Sequence, residues 1–518
     1  MKPKADLILT NANVITCEPG GLRAGAIAIK GDKILAIGTG PEMVQFKSDG
    51  TRVIDCGGKT LIPGFNDAHC HLFPLVRKLF SLDLSPEAVG SIKDIKEVIR
   101  RKARTIPESR WISGTDYNEF YLAERRHPNR WDLDEAAPRH PVILNHRSLH
   151  AAVLNSLALD LVGINSETEE PPGGIIDRDI VTGEPNGILY EMGEYLRARI
   201  PSSISDEEME RGISEISRQF IAHGITSLGE ASVSNDLAQW GAYLKLKKTG
   251  KLKSRIYMMV GLEALNEFKK ANLATGSGDN ELKVGSLKIV LSEATGRLNY
   301  SRQELNQTVL EASRAGFQVA IHAVERSSFE AAVTALEDTQ AQHPEFKMLH
   351  RIEHGSECSP EIRSRLIDLH AAVVSQPPFI YYSGERYLSQ VPSGVQQWLY
   401  PFKSLLDAGI IVAGSSDAPV VPFDPLMGIY AAISRRTESG RTVLSGEAVS
   451  VGQALGMYTL NAARASLEEN IKGSLAPGKL ADIVALSADP IRSSPEMIKS
   501  IQVEMTIIGG QIVYEKAG

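Results

Sequence analysis

The chain has 518 residues, of which 42% are hydrophobic and 23% charged. These are ordinary values for a globular protein, and they exclude a disordered or fibrous chain. Lysine and arginine number 56 and aspartate and glutamate 63, which gives a formal net charge of -7. This balance lacks the basic footprint of a nucleic-acid-binding protein. We therefore expect a small-molecule substrate as the partner, and neither nucleic acid nor a membrane.

Cysteine usage predicts a reducing compartment. The chain has only four cysteines and no C-x-x-C pair, so a disulfide framework is not expected. The first residues include an acid and are not followed by the apolar segment of a signal peptide. No run of about 18 apolar residues is present that would span a membrane. We therefore expect a cytoplasmic protein.

Short apolar runs separated by turn residues indicate β-strands at both ends of the chain. The clearest runs are Leu7–Leu9, Ala26–Ile29, Lys33–Ile37, Asp482–Leu486 and Gln502–Ile508. Gly509 and Gly510 then form a signal for a tight hairpin. A small meander alone would have exposed edges and little core. We therefore predict that residues 1–60 and 470–518 build one β-sandwich together.

The middle of the chain alternates apolar, strand-like runs with helical patterns. The eight predicted strands are Leu61–Phe65, Ile225–Leu228, Ile256–Val260, Leu287–Leu291, Gln318–Ile321, Leu349–Ile352, Ala371–Val374 and Ile410–Ala413. Helices alternating with buried parallel strands indicate an α/β fold, a (β/α)8 TIM barrel, at residues 61–74 and 206–469. The interval after the first strand is far longer than one crossover needs. We interpret residues 75–205 as an insertion that caps the active site.

The strongest chemical signal is the H-x-H pair of His69 and His71 after the first predicted strand. An extended backbone places side chains two residues apart on one face, and imidazole binds zinc and neighbouring metals well. Further metal-capable residues lie in or after other predicted strands: Lys288, His322, His354 and Asp417. Active sites in this fold form at the carboxyl ends of the strands. The set therefore predicts a site for a divalent metal, with zinc expected.

Several segments resemble the amidohydrolase superfamily. They are Ile62–His71, Arg351–Gly355, Gly414–Pro419 and Gly473–Val484. In the predicted insertion, Trp111–Gly114, Leu149–Ser156 and Pro171–Gly174 are similar to the branch that contains YtcJ-like proteins and N-substituted formamide deformylases. The resemblance covers nearly the whole chain.

The resemblance implies two metal sites built from the same six residues. The H-x-H pair and Asp417 would hold the more buried metal, and His322 and His354 would hold the second. Lys288 would bridge the two as a carbamate, which requires a lowered lysine pKa. The alternative is a buried Lys288 paired with Asp417 or Glu293.

The implied activity is hydrolysis of a non-peptide carbon–nitrogen bond, in an amide or N-acyl group. Coordination lowers the pKa of a metal-bound water towards about 7, so that hydroxide is available for attack. Asp417 would take up the proton of the water and pass it to the leaving nitrogen. A homodimer is the default expectation for a soluble enzyme, and the substrate is not set by the sequence.

Two departures from the family pattern leave a rival function open. Ser292–Leu298 stands where YtcJ-like proteins usually have an Asp-Gly, and His322 starts an H-x-x-E that ends at Glu325. This spacing resembles single-metal deaminases of aminated heterocycles, in which the glutamate shuttles protons and the residue like His354 orients water. One metal would then be held by His69, His71, His322 and Asp417. Glu325 could equally begin the following helix, and a catalytically silent scaffold is the alternative from another class.

Other polar residues are candidates for contact with substrate. They are His150 in the predicted insertion, Gln376 after the seventh strand, and Tyr381, Tyr382 and Arg386 on the predicted loop that follows. For His150 an interdomain hydrogen bond is the alternative. Glu230, after the second strand, is expected to support a ligand. The other histidines singled out, which show no partner pattern, are interpreted as surface or core: His127, His140, His223, His343 and His370.

Overall fold

The computed structural model describes residues 3–517 except 22, 172, 202, 203, 294, 295 and 370. The chain divides into two compact units, of which one comprises residues 1–71, 213–290 and 302–518 and the other residues 72–212 and 291–301. The first unit contains an eight-stranded sheet and two smaller sheets, and the second unit has a six-stranded sheet of its own.

The eight-stranded sheet is parallel, and each strand pairs with the next one along the chain. Its strands are Phe65–Cys70, Ile225–Glu230, Arg255–Gly261, Leu282–Val290, Val319–Ala323, His350–His354, Ala371–Ser375 and Ile411–Gly414. Beyond the regular strands, the Asp417 N–H donates to the His69 carbonyl at 2.8 Å and joins the last strand to the first. The predicted (β/α)8 barrel is confirmed, and we call the edge formed by its carboxyl strand ends the rim.

Helices lie between the barrel strands as the alternating pattern predicts. The longer ones are Asp206–Ala222, Leu237–Lys248, Arg302–Arg314, Arg326–Gln342, Pro360–Asp368, Pro378–Gln390 and Pro425–Ser434. Shorter helices in or after the barrel are Leu265–Lys270, Ser393–Gln396, Phe402–Asp407, Val451–Met457 and Leu460–Ala465, and Gly40–Met43 and Pro495–Ile498 lie between strands of the smaller sheets. The helix Arg302–Arg314 starts directly after Ser301, and Gly316 follows it at φ 80°, where glycine ends a helix without steric cost.

The two smaller sheets of the first unit combine strands from both ends of the chain. One sheet has the order Lys33–Gly38, Ala26–Lys30, Leu7–Thr10 and Arg52–Asp55. The other has the order Gln511–Glu515, Val503–Ile508, Ile483–Leu486, Thr60–Pro63, Asn13–Ile15 and Arg23–Ala24. Buried side chains from both sheets, among them Leu7, Ile27, Leu61 and Ile483, share one core. The predicted composite sandwich is confirmed, including the hairpin turn at Gly509 and Gly510.

The predicted first barrel strand, Leu61–Phe65, is wrong in its position. Residues Thr60–Pro63 belong to the sandwich, and the barrel strand starts at Phe65. The chain changes sheets at Gly64, where an added Cβ would lie 2.1 Å from the Thr226 hydroxyl oxygen. One apolar run continues through both strands, so its hydrophobicity gave no sign of the break. As a consequence, His69 lies inside the strand and is 1% exposed.

The second unit is built on a mixed sheet. Its strands, in sheet order, are Ile175–Arg178, Pro185–Tyr190, Ala151–Leu154, Val142–His146, Ile112–Tyr117 and Leu82–Asp83. Its helices include Leu72–Leu79, Ile92–Ala103, Arg130–Ala136, Ser156–Val162 and Gly193–Arg197. Residues 291–301, which follow the fourth barrel strand, also belong to this unit. Among the described parts of the chain, no helix has both the length and the apolar character needed to cross a membrane.

Candidate metal centre

Three side chains at the rim direct their ligand atoms towards one another. His71 Nε2 lies 3.1 Å from Asp417 Oδ1, and His69 Nε2 lies 3.5 Å from the same oxygen. The ligand atoms of all three residues lie within 4.8 Å of one another. Two imidazole nitrogens and a carboxylate oxygen form a donor set that suits zinc and related divalent metals. The residues present therefore fit such an ion.

The other three predicted ligands lie in the same cluster. The His354 ring centroid is 5.1 Å from that of His69 and 4.3 Å from that of His322. Lys288 Nζ is 3.3 Å from His69 Nε2. The structure thus brings together all six side chains that the strand-end pattern selected.

Burial sets the protonation of this cluster. Burial lowers the pKa of Lys288 to about 8, although nearby carboxylates partly offset the shift. Burial also lowers the pKa of His69 and of His354, so both imidazoles are neutral at pH 7. Burial alone would raise the pKa of Asp417, but its close contact with His71 holds it below its usual range. Neutral imidazole and ionised carboxylate are the forms that bind metals.

Two of the six residues have a left-handed backbone. His354 has φ 72° and Asp417 has φ 59°, a region that residues with a side chain rarely adopt. In a regular strand, Glu353 and His354 would point to opposite faces. The left-handed turn at His354 allows its ring to approach His69, which Glu353 also contacts. Strain of this kind clusters at functional sites.

Glu353, to which the sequence analysis gave no role, contacts the other nitrogen of His69. Its carboxylate hydrogen-bonds His69 Nδ1 and forms an ion pair with Arg351, whose Nε lies 2.7 Å from Glu353 Oε1. Arg351 and Glu353 are both 0% exposed. The available signal was Arg351 in a strand predicted to be buried and Glu353 one residue beyond its predicted end, because buried charges need partners.

A second chain of contacts holds His71. The Ser232 hydroxyl donates to Glu230 at 2.6 Å, and its oxygen lies 3.2 Å from His71 Nδ1. Since the Ser232 proton is given to the carboxylate, the oxygen accepts from Nδ1–H of His71. Nε2 of His71 is then the atom that faces Asp417. Glu230 thus contacts His71 through Ser232, and its predicted support of a metal ligand stays a prediction.

Gln376 is fully buried beside His354. His354 Nδ1 lies 2.8 Å from the Gln376 side-chain oxygen, and the Gln376 amide nitrogen donates to Ser415 at 3.0 Å. The amide therefore orients the imidazole of His354. Contact of Gln376 with substrate stays a prediction.

Glu325 is exposed at the N-cap position of the helix Arg326–Gln342. It lies at the start of that helix, as the alternative interpretation of the H-x-x-E spacing expected, and Ser328 donates to its carbonyl at 2.8 Å. Among the described residues, the contacts given for Glu325 do not reach the rim cluster, and its catalytic role stays a prediction.

The predicted loop that holds Tyr381, Tyr382 and Arg386 is instead the helix Pro378–Gln390. Pro377 and Pro378 stand at its start, where proline is well suited to the first turn of a helix. The Arg386 guanidinium lies 5.5 Å from the Tyr387 ring centroid. Whether Arg386 meets substrate stays a prediction.

His150 lies in the second unit. Its Nδ1 is 2.9 Å from Glu191 Oε1, which also accepts from the Ser292 hydroxyl at 3.3 Å. Both partners belong to the same unit as His150. The backbone beside this contact is strained, because Leu149 and Glu191 have left-handed φ angles of 65° and 54°.

The remaining histidines do not join the rim cluster in any contact that the structure gives. His127 belongs to a group in the second unit with Tyr117, Glu119 and His146, a group that the sequence did not reveal. His223 Nδ1 donates to the Gln219 carbonyl of the preceding helix at 2.8 Å. His370 lies outside the described residues.

A histidine and carboxylate cluster at the rim of a parallel (β/α)8 barrel is an arrangement suited to a metal-dependent hydrolase. The chain belongs to the amidohydrolase family, whose sequence model matches residues 52–514. It is a hydrolase that acts on carbon–nitrogen bonds other than peptide bonds.

Two curated relatives match the chain along all or nearly all of its length. An N-substituted formamide deformylase of Arthrobacter pascens is 30% identical, with 100% of both chains covered. The putative amidohydrolase YtcJ of Bacillus subtilis is 28% identical, with 97% of this chain and 98% of that protein covered. These relatives confirm the predicted YtcJ-like branch.

A solved structure shares the fold. An uncharacterized metal-dependent hydrolase from Pyrococcus furiosus is 25% identical with a TM-score of 0.73, and the match covers 94% of this chain and 100% of that one.

Proposed function

We propose that the chain hydrolyses an amide or N-acyl bond of a small molecule with the help of a divalent metal at the rim. The observation that carries this proposal is the convergence of His69, His71 and Asp417 on one point. The relative that is named for N-substituted formamides, aligned over both whole chains, supports that substrate class.

We infer two metals per chain, with zinc as the first choice. The three converging residues would hold one ion, and His322 and His354 would hold the other. Lys288 would join the two sites as a carbamate, formed when its neutral amine adds to carbon dioxide and releases one proton. The lowered pKa of Lys288, about 8, supports this role because part of the lysine is then neutral near pH 7.

When bound, the metal supplies a water of lowered pKa and a Lewis acid for the substrate carbonyl. Asp417, whose pKa is held below its usual range, is ionised and accepts a proton from the attacking water. It then donates that proton to the leaving nitrogen as the carbon–nitrogen bond breaks. Glu353 and Ser232 keep the rings of His69 and His71 in place during these steps.

We also propose a cytoplasmic location and a single small molecule as the substrate. The location is supported by the four cysteines, all of which are free. A homodimer remains the expected assembly of such an enzyme.

The rival activity is deamination of an aminated heterocycle with one metal. It needs Glu325 as a proton shuttle and gives Lys288 no part in metal binding. The exposed N-cap position of Glu325 and the buried position of Lys288, 3.3 Å from His69, favour the hydrolase.

Two substitutions separate these activities. Lys288→Ala and Glu325→Gln would be assayed on N-substituted formamides and N-acyl amines for released amine, and on aminated heterocycles for ammonia. We expect Lys288→Ala to lower kcat/KM by about 10³-fold, and Glu325→Gln to stay within about three-fold, since only the first removes a metal ligand. Lys283→Ala, on the same strand but at its other end, is the matched control. The opposite pattern, with ammonia released, would support the deaminase.

A further inference from the structure

Arg351 and Glu353 form an ion pair inside the barrel. Both are 0% exposed, and two nitrogens of the guanidinium meet the two carboxylate oxygens at 2.7 and 3.0 Å. Removing two charges from water costs several kcal/mol per ion, and apolar replacements of a buried pair are often neutral or stabilising. Stability alone therefore does not account for this pair.

The contacts of this pair reach a barrel strand that is not a neighbour of its own strand in the sheet. Arg351 and Glu353 belong to the sixth barrel strand, and two strands separate it from the first one. Arg351 donates through Nη2 to the Ala68 carbonyl at 2.8 Å. Glu353 contacts Nδ1 of His69, the next residue. The two charged side chains thus connect the sixth strand to the backbone and the imidazole of the metal-ligand segment.

The contact determines which nitrogen of His69 carries the proton. An ionised carboxylate only accepts hydrogen bonds, so Nδ1 must be the protonated nitrogen. In a neutral imidazole the lone pair is then on Nε2. Nε2 is the atom that lies 3.3 Å from Lys288 Nζ and 3.5 Å from Asp417 Oδ1.

We propose that Glu353 is a positioning residue that fixes the tautomer and the orientation of His69, and that Arg351 holds the carboxylate of Glu353 in place. This inference rests on the proposed function, because it takes Nε2 of His69 as a metal ligand. Partners of this kind typically change metal affinity by about 10- to 100-fold when they are removed.

The first test is zinc binding by the metal-free full chain. Glu353→Gln keeps the size of the side chain but removes the charge. We expect its zinc dissociation constant, measured by competition with a chromophoric chelator, to rise by about 10- to 100-fold relative to the unchanged chain. Glu468→Gln is the matched control, since Glu468 is also a buried partner of two cations, Lys283 and Lys472, and makes no contact with His69 in the described structure. It should change the constant by less than about two-fold.

Equal zinc affinity of Glu353→Gln and the unchanged chain would overturn the proposal. If the unchanged chain itself bound no zinc, the proposed function would fail instead. Should Glu353→Gln not fold, nitrogen NMR of the unchanged metal-free chain with labelled histidine decides the question. The resonances lost in His69→Asn are expected to show a protonated Nδ1 and a bare Nε2. A proton on Nε2 would contradict the inference.

Discussion

The barrel buries charged side chains at both ends of its strands, but in two different ways. At the amino ends, Arg255 forms a two-point ion pair with Asp482 at 2.7 and 2.9 Å, and Lys472 pairs with Glu468 at 2.6 Å. At the rim, Lys288 lies against an imidazole nitrogen at 3.3 Å. Two imidazoles there share one oxygen of Asp417.

The electrostatic consequences are opposite. Burial would lower the pKa of Arg255, but Asp482 and Glu281 raise it above its usual range. Burial lowers the pKa of Lys288 to about 8, and the nearby carboxylates offset this shift only in part. At the amino ends, cations paired with carboxylates stabilise the fold, whereas the basic groups gathered around Asp417 at the rim leave nitrogen lone pairs available. The arrangement of the charged partners, and not burial alone, distinguishes the candidate site at the rim from the structural ion pairs at the amino ends.

The largest effect is expected at Asp417. Asp417→Asn keeps the shape but cannot accept the proton of the attacking water, so kcat should fall by about 10³-fold. The measurement is steady-state hydrolysis of an N-acyl substrate, together with thermal unfolding to show that the chain is folded. Asp424→Asn is the control, because Asp424 caps the helix Pro425–Ser434 and asparagine also caps helices well. An Asp417→Asn enzyme with unchanged kcat would remove Asp417 from the mechanism.

The next effect concerns the buried ion pair of Arg255 and Asp482 at the amino ends of the strands. Arg255→Met leaves Asp482 buried without its partner, which should lower the free energy of unfolding by about 3–5 kcal/mol. Zinc binding by the folded protein should not change, because the change is at the opposite end of the strands. Urea unfolding and metal titration measure the two quantities. Lys30→Met is the exposed control. It removes the ion pair with Asp6, in which both side chains are more than half exposed, and should lower the free energy of unfolding by less than about 1 kcal/mol. Loss of zinc binding in folded Arg255→Met would show that the two ends are coupled.

The smallest effect is a pH dependence at the amino end of the sixth strand. Burial lowers the pKa of His350 to about 4, so the unfolded chain binds more protons than the folded chain between pH 4 and about 6.5. Stability therefore falls as the pH is lowered through this window, by about 2 kcal/mol from pH 7.5 to pH 5.

His350→Asn tests this effect. Asparagine does not titrate, and its side-chain oxygen can accept from the Val319 N–H as His350 Nδ1 does at 3.1 Å. Unfolding by urea at pH 7.5 and pH 5 should show a weaker pH dependence in the variant. The same pH dependence in both proteins would mean that His350 does not contribute.

Much of the fold and of the rim could be predicted from the sequence. Alternating strand and helix patterns gave the barrel, and the rule that active sites lie at carboxyl strand ends selected all six residues that the structure brings together. The two ends of the chain were assigned to one sandwich because neither could cover its own edges.

The remainder depends on contacts and torsions that a local pattern does not contain. The partner of His69 is Glu353, 284 positions away along the chain. The left-handed backbone of His354 and Asp417 breaks the alternation on which side-chain directions were based. The helix Pro378–Gln390 was misassigned because proline is typical both of turns and of helix starts.

The most direct test of the central claim is the metal content of the purified chain, made with zinc supplied and without chelator. Elemental analysis of the unchanged chain and of Lys288→Ala would be compared, with Lys283→Ala as the control. We predict two metals per chain, reduced by Lys288→Ala and unchanged by Lys283→Ala. One metal, retained in Lys288→Ala, would favour the single-metal deaminase. No bound metal under these conditions would contradict the assignment of the rim as a metal centre.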